Sequence, residues 1–267
     1  MNVNTVILIG ALTRDPELRY TPNGTPVVEY TVAGEESITK ADGTSGDAVW
    51  YLRCVEIGKG AEGTAEIFKA GQAVLVQGSV QEETWEQDGQ KHSKLTVKQH
   101  KIAHVSRPET DLVQDQQGGF RLKNARNWVR LVGNLGKAPE IRYVPSGAAV
   151  VSPSIAVTES WKGRDGNWQE KTHWVQVELW EANAESLVKQ AGKGSTLLVD
   201  GRLKNESWTD SEGNKRQNTI LAAETFEIVE RFSKAPKPQG QPVGVGKPQS
   251  SSTSQDAFPP EEEDLPF

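Results

Sequence analysis

Tryptophan is the residue type in this sequence with the clearest chemical use. The chain has eight tryptophans against four tyrosines and six phenylalanines, and six of the eight lie between residues 128 and 208. A flat aromatic ring can stack on a flat ligand such as a nucleic-acid base, and each stacked base contributes about 1–3 kcal/mol. Polar neighbours flank Trp161 in Glu-Ser-Trp-Lys and Trp208 in Glu-Ser-Trp-Thr. We therefore expect both rings to be exposed.

Trp174 and Trp180 lie six residues apart in a segment that has the composition of a β-strand. Side chains alternate between the two faces of a strand, so both rings point to one face. Val175, Val177 and Leu179 occupy the other face, which favours rings that lie outside the core. The alternative is that some of these tryptophans fill the core.

The sequence repeats itself at an offset of 123 residues. Asn4-Thr-Val-Ile-Leu-Ile-Gly10 recurs as Asn127-Trp-Val-Arg-Leu-Val-Gly133, and Pro16-Glu-Leu-Arg-Tyr20 recurs as Pro139-Glu-Ile-Arg-Tyr143. The match continues through each copy with a single inserted residue. This pattern predicts a duplicated domain, and the period is too long for a solenoid repeat.

Each copy has the pattern of a small β-barrel. Alternating or β-branched segments predict five strands, which in the first copy lie at 3–12, 27–33, 49–57, 73–84 and 93–105. One short helix fits between the third and fourth strands, at about 61–68 and 184–190. Five strands with a helix in that position are the plan of the OB fold. The predicted fold is all-β: two tandem OB-fold barrels, each with five strands and one short helix, followed by a disordered acidic C-terminal tail.

The predicted domain boundaries follow from the repeat and from composition. The first barrel covers residues 1–107, a linker 108–125, the second barrel 126–231 and the tail 232–267. The linker is polar and is expected to be flexible. Pro, Gly, Gln, Ser and Lys dominate the start of the tail, and such a composition buries too little apolar surface to order a chain.

The tail has an acidic tip, residues 256–267, that solubility alone does not explain. An apolar end follows a dense acidic cluster in the final residues Glu261, Glu262, Glu263, Asp264, Leu265, Pro266 and Phe267. A free carboxylate on a terminal phenylalanine suits a docking peptide, and a solubilising tail is the alternative.

The two copies differ in their aromatic residues and so are expected to take unequal shares of one function. At the positions of Trp174 and Trp208 the first copy has Tyr51 and Trp85, whereas Ile38 and Ile57 replace Trp161 and Trp180. Trp128 and Trp168 have no aromatic counterpart and are left unassigned. Candidate phosphate contacts are the cations around the aromatic positions: Lys162, Arg164, Lys171, Lys193, Lys204, Lys215 and Arg216 in the second copy, and Lys91 and Lys94 in the first.

The sequence gives little support for a disulfide, a metal site, a phosphate loop or a catalytic site. The single cysteine, Cys54, excludes an intrachain disulfide and an all-thiolate metal site, and its aliphatic neighbours predict a buried thiol. The four histidines lack metal-ligand spacing, and Gly192-Lys-Gly-Ser-Thr196 lacks the earlier glycine of a phosphate loop. We therefore expect no cofactor, no metal and no enzymatic activity. No apolar run of membrane-spanning length and no signal peptide are present, so a cytoplasmic location is expected.

These residues together resemble the bacterial single-stranded DNA-binding proteins (SSB), in the two-OB-fold form of the Deinococcus–Thermus group. The second copy and the tip carry the resemblance in Asn127-x-Val-x-Leu-Val-Gly-Asn-Leu135, Pro139-Glu-Ile-Arg-Tyr143, Glu159-Ser-Trp161, Thr172-x-Trp174, Trp208-Thr-Asp210 and Asp264-Leu-Pro-Phe267. The resemblance implies base stacking at Trp161, Trp174, Trp180 and Trp208, and in the first copy at Tyr51 and Trp85. Ile38 and Ile57 depart from the family pattern.

The resemblance also implies partners. A working unit of four OB folds means a homodimer of this chain, and the acidic tip would recruit replication, recombination and repair proteins. The protein would wrap and protect single-stranded DNA without sequence preference in the cytoplasm, at the nucleoid.

Two alternatives remain at the level of the residues. Aromatic rings stack on RNA as well as on DNA, so an OB-fold RNA-binding protein stays possible, and an oligosaccharide-binding module also uses tryptophan platforms. The formal net charge of −6 is unusual for a simple nucleic-acid binder. We expect the acidic tail to compete with DNA for the groove.

Overall fold

The computed structural model describes residues 3–39, 44–87, 89–163, 165–209, 213 and 215–229. The predictions for the tail, for its acidic tip and for Arg164 lie outside the described residues. Lys91 lies on a described strand, but its side chain lies outside the description. Contacts group Met1–Arg231 into one compact unit.

The first repeat forms a closed barrel. Its elements are β1 (Asn4–Leu12), β2 (Glu17–Tyr20), β3 (Pro26–Thr39), β4 (Ser45–Ile57), α1 (Gly60–Ile67), β5 (Ala73–Gln87) and β6 (Gln90–His104). Strand β1 pairs antiparallel with β3 and β5, β3 pairs with β4, and β5 pairs with β6. A parallel contact between β4 and β6 closes the ring. This is the predicted OB topology, with a short extra strand, β2, beside β3.

The segment that follows is ordered, which corrects the expectation of a flexible linker at 108–125. It contains a 3-10 turn (Glu109–Asp111) and a linker hairpin, residues 112–122, made of β7 (Leu112–Gln114) and β8 (Phe120–Leu122). Strand β8 pairs parallel with β3 through Leu122 and Gly34. Leu122 is buried and Phe120 packs against the core, so the few apolar residues of this polar segment attach it to the first barrel.

The second repeat closes in the same way. Its elements are β9 (Arg126–Leu135), β10 (Ile141–Tyr143), β11 (Ala149–Val151), β12 (Ser154–Lys162), β13 (Trp168–Trp180), α2 (Glu181–Gln190), β14 (Thr196–Thr209) and β15 (Lys215–Ile228). Strand β9 pairs with β12 and β14, β12 with β13, and β14 with β15, and β13 pairs parallel with β15. The second strand of the barrel is divided at Ser152-Pro153, because proline has no N–H for the sheet.

The barrel cores are mainly aliphatic, with Tyr30, Trp50 and Phe68 as aromatic members in the first barrel, and each helix packs one face on its barrel. Ala61 of α1 and Ala184 and Leu187 of α2 are fully buried. Cys54 is also fully buried, as predicted, and burial raises the pKa of its thiol.

A bulge in the fifth strand of each barrel, with His100 of β6 or Glu224 of β15 as the extra residue, separates a barrel wall from a projecting arm. The register shifts between Gln77 and Gly78 in β5 and between Asp200 and Gly201 in β14. A Cβ at Gly201 would lie 2.1 Å from the Ala222 carbonyl oxygen, so the close approach of β15 requires glycine. Bulges bend the strand that carries them. We call β5–β6 beyond Gly78 the first arm and β14–β15 beyond Gly201 the second arm.

The two barrels share a strand joint. Strands β1 and β9 pair antiparallel from Asn4↔Leu131 to Ile9↔Arg126. Val6 pairs with Val129, which is its equivalent residue in the repeat, so the joint is centred on a local two-fold relation. Asn4 and Asn127, which are also equivalent, each exchange two hydrogen bonds with the backbone of Val80 and Leu203 respectively.

Candidate nucleic-acid interface

The six aromatic residues that were predicted to stack all lie on the surface. Their exposed fractions run from 36% for Tyr51 to 49% for Trp208, and Trp85, Trp161, Trp174 and Trp180 lie between these values. Trp50, by contrast, is 2% exposed and belongs to the core. The alternative that tryptophans fill the core is therefore wrong for Trp161, Trp174, Trp180 and Trp208. It is right for Trp50, which the sequence prediction did not single out.

The alternation of side chains along β13 determines on which face two of the rings lie. Trp174 and Trp180 lie on the outer face of β13, while Val175, Val177 and Leu179 on the inner face are fully buried. At the position of Trp180 the first barrel has Ile57, which is 59% exposed. The first barrel thus keeps the open surface but lacks the aromatic ring.

Six of the predicted site residues meet in one cleft between the two arms. This composite cleft of about 560 Å³ is lined from the first barrel by Tyr51, Trp85 and Lys94, and from the second by Trp208, Lys215 and Arg216. The residues from the first barrel are more than 100 positions away in the sequence from those of the second barrel. The site is therefore shared between the barrels.

Trp85 is held in a layered arrangement within the composite cleft. Its ring stacks on His92, its partner on β6, at 5.5 Å between centroids, and Lys94 Nζ lies 5.5 Å from the tryptophan ring centroid. Lys94 also approaches Glu83 at 3.5 Å. A cation over a tryptophan face is favourable, so a positive charge and a stacking surface are presented together.

Each barrel holds the central aromatic residue of the other through a side chain on its arm. The backbone N–H of Tyr51 donates to Asn205 Oδ1 at 2.8 Å, and that of Trp174 donates to Glu82 Oε2 at 3.1 Å. Tyr51 and Trp174 are equivalent in the repeat, as are Glu82 and Asn205. Sequence reasoning missed this pair, although both lie three residues before an arm tryptophan at the same offset of 123.

A buried histidine lies at the same junction. His173 is 1% exposed, its Nδ1 accepts the backbone N–H of Glu82 at 3.0 Å, and its Nε2 lies 3.8 Å from Glu159 Oε2. Burial lowers the pKa of His173, and nearby Lys171 lowers it further, against the opposing effect of Glu159. A neutral imidazole therefore joins the first arm to β13.

Trp174 also lines a groove on the second barrel, away from the composite cleft. Lys137, Glu140, Arg142 and Ser152 line this groove with it. The ring packs closely on Gly136, where a Cβ would lie 2.7 Å from it. Trp161 and Lys162 extend along β12, and Lys162 pairs in register with Trp168, which is 74% exposed. Sequence reasoning left Trp168 unassigned.

The predicted cations differ in their surroundings. Lys162, Lys171, Lys193 and Lys215 are exposed, and Arg216 is half-buried. Lys204 is half-buried between two carboxylates, with Nζ 2.5 Å from Glu178 Oε1 and 3.0 Å from Glu206 Oε1. Burial alone would lower the pKa of Lys204, but hydrogen bonds to the two carboxylates outweigh it, and the pKa is raised. Lys204 is therefore already paired, unlike the lysine expected at a phosphate.

Among the described residues, no group of three or more His, Cys, Asp or Glu side chains is arranged to hold a metal ion. In the same part of the chain, no helix has both the length and the apolar character needed to cross a membrane.

Comparison with known proteins identifies the family. The sequence model described as the Single-strand binding protein family matches residues 3–105 and again residues 126–229. The chain belongs to the single-strand binding protein family. Relatives cover it nearly from end to end: a single-stranded DNA-binding protein of Deinococcus radiodurans is 40% identical over 99% of both chains, and one of Thermus aquaticus is 36% identical over 99% of this chain and 98% of its own.

The solved structures agree with the SSB-family fold. The wild-type single-stranded DNA-binding protein of Thermus aquaticus superposes with a TM-score of 0.68 at 31% identity, covering 88% of this chain and 97% of that chain. The predicted resemblance and the predicted tandem OB-fold class are thereby confirmed. The prediction that the chain is not an enzyme is also confirmed, because these relatives are DNA-binding proteins.

Proposed function

We propose that this SSB-family protein binds single-stranded DNA without sequence preference, by stacking bases on exposed aromatic rings and pairing phosphates with nearby cations. The observation that carries the proposal is the composite cleft, which combines Tyr51, Trp85 and Trp208 with four cationic side chains: Arg53, Lys94, Lys215 and Arg216. Stacking suits binding without sequence preference because every base has a π-face. Relatives over the full chain length are named for the same activity.

The wider path of the strand follows the remaining exposed rings. Trp161, Trp174 and Trp180 lie on β12 and β13 of the second barrel. Exposed Lys162 and Lys171 lie on the same two strands and supply positive charge for phosphates. The first barrel has fewer rings, so the second barrel contributes more of the binding free energy.

The test is a tryptophan fluorescence titration with oligo(dT) of increasing length at moderate salt. We expect strong quenching that saturates at a few tens of nucleotides, with duplex DNA inert. Alanine at Trp161, Trp174, Trp180 or Trp208 should weaken binding, whereas Trp128→Phe, a half-buried ring on β9, is the matched control. Absence of quenching would refute the proposal, and equal affinity for oligo(rU) would favour the RNA-binding alternative.

Two further parts of the proposal concern assembly and recruitment. Two OB folds per chain and a working unit of four imply a homodimer, which sedimentation equilibrium would measure. The acidic tip would dock replication, recombination and repair proteins in the cytoplasm, with Phe267 in an apolar pocket. Deleting residues 257–267 should abolish that docking and tighten DNA binding at low salt. Unchanged affinity would contradict the competition between the tail and DNA.

A further inference from the structure

The repeat gives each barrel a groove at the same place, beside its central aromatic residue. The first groove is lined by Asp15, Glu17, Glu29 and Tyr51, and the second groove by their equivalents Ala138, Glu140, Ser152 and Trp174. Identical positions in one fold make the two grooves directly comparable. Their linings differ in charge, and the grooves differ in volume.

The first groove is acidic and the second is basic. Two arginines and four carboxylates give the first groove a formal charge of −2, whereas two cations and one carboxylate give the second +1. Glu29 forms ion pairs with Arg53 and with Arg19, which lies outside the groove lining, so one carboxylate holds both guanidinium groups and offsets one of their two positive charges. If Arg19 is included, the first groove still has a formal charge of −1. In the second groove Arg142 instead donates to the neutral hydroxyl of Ser152 at 3.1 Å. A polyanion is therefore attracted to the second groove and repelled from the first.

The linker hairpin occupies one side of the first groove. Asp115, Gln117 and Gly119 line that groove together with Tyr51. Asp115 Oδ1 accepts the backbone N–H groups of Gln117 and Gly119, each at 2.8 Å, and these bonds, that from Gly119 first, lower the pKa of the carboxyl. The turn is thus fixed and carries a negative charge into the groove.

Three contacts anchor the linker hairpin in that position. The Phe120 N–H donates to the Thr13 carbonyl oxygen at 3.2 Å on the groove wall. Arg121 pairs with Glu35 at 2.9 Å, and Leu122 pairs with β3. The first groove encloses about 390 Å³ against about 660 Å³ for the second. The second groove is lined entirely by residues of its own barrel.

We propose that the linker hairpin, with Asp115 and Glu29, closes the first groove to single-stranded DNA and so determines the path of the strand. The strand occupies the second groove over Trp174 and reaches Tyr51 only from the composite cleft. This inference rests on the proposed function. Glu29 and Asp115 are then specificity-determining residues, since they select which of two equivalent grooves receives DNA.

A cysteine protection experiment tests the path. Glu17 and Glu140 are equivalent, exposed and on the walls of the two grooves. We would compare Glu17→Cys with Glu140→Cys by the rate of maleimide labelling in the full chain, with and without saturating oligo(dT). Cys54 gives no background because it is fully buried. Thermal unfolding of both variants would establish that they fold.

We expect oligo(dT) to slow labelling of Glu140→Cys several-fold and to leave Glu17→Cys unchanged. Adding Glu29→Ser and Asp115→Asn to Glu17→Cys should then create protection, since serine copies the second groove and asparagine keeps the turn acceptor. Protection of Glu17→Cys in the parent would overturn the proposal, and absence of protection in the triple variant would overturn the role of the two carboxylates.

The outcomes also separate this inference from the proposed function. Quenching by oligo(dT) without protection of Glu140→Cys would leave DNA binding intact and refute the path through the second groove. Neither quenching nor protection would refute the proposed function itself.

Discussion

Lys204 and Lys215 both lie on the second arm, but their surroundings give them different roles. Replacing the exposed Lys215 with Gln should remove one phosphate contact and reduce the salt dependence of log K by about 0.7. Lys204→Gln should leave that slope unchanged and lower the free energy of unfolding by about 1–3 kcal/mol, because it removes the cation beside the buried Glu178. Oligo(dT) affinities across a salt series and urea unfolding measure both. A reduced slope in Lys204→Gln would contradict the assignment.

His173 should make stability depend on pH. Its folded pKa is lowered by burial first and then by Lys171, with Lys98 acting the same way and Glu159 and Glu82 opposing. The unfolded chain therefore takes up the proton first, near the ordinary value of about 6.5. The free energy of unfolding should fall as pH drops from about 7 through 6.5, and level off below the folded pKa.

The matched variants are His173→Asn and the exposed His104→Asn, each unfolded with urea at pH 7.5 and at pH 5.5. Asparagine at 173 should flatten the pH dependence, although His100, whose pKa is also lowered by burial, keeps part of it. If His173→Asn and wild type lose the same stability on acidification, His173 is not the group responsible.

The exposure of a single side chain was predictable where the alternation of residues along a strand alone determines it. The exposure of Trp174 and Trp180 follows from the buried aliphatic residues between them. The pairing of Lys204 with Glu178 does not, because it depends on how β14 and β13 pack. The same limit applies to Glu82 and Asn205, whose partners lie on the other barrel.

At the level of elements, the arms depend on the bulges that lie opposite Gly78 and Gly201. Gly201→Ala would force a Cβ against the Ala222 carbonyl oxygen and should destabilise the protein by roughly 1–3 kcal/mol. Gly192→Ala is the matched control, since its Cβ would have no neighbour within 4 Å. Chemical denaturation of both variants measures the difference. Equal stabilities would show that the bulge tolerates a side chain.

The sequence predicted the positions of the strands and helices but not all of their lengths. The fourth strand of the first repeat was expected to end at residue 84 and continues to Gln87, because the arm leaves the core and its outer residues have no apolar alternation to mark them. The linker hairpin was missed for a related reason. Its few apolar residues pack on β1 and β3, a surface that no local pattern in the linker reveals.

At the level of the whole molecule, the strand joint predicts that both barrels unfold together. Asn127→Ala would leave the buried N–H and C=O of Leu203 without their side-chain partner and should cost about 1–3 kcal/mol. Calorimetry should show one transition in wild type, and one transition at lower temperature in the variant. Two resolved transitions in wild type would mean that the barrels are thermodynamically independent.

The joint between β1 and β9 also determines how the composite cleft behaves when the protein is diluted. Because the two barrels belong to one polypeptide, their association is intramolecular, with an effective concentration that reaches the millimolar range for short connections. Two separate chains would part once diluted below their dissociation constant. In this protein the two sides of the composite cleft stay together at any protein concentration. Under the proposed function, even a very dilute protein therefore meets DNA with the shared site already assembled.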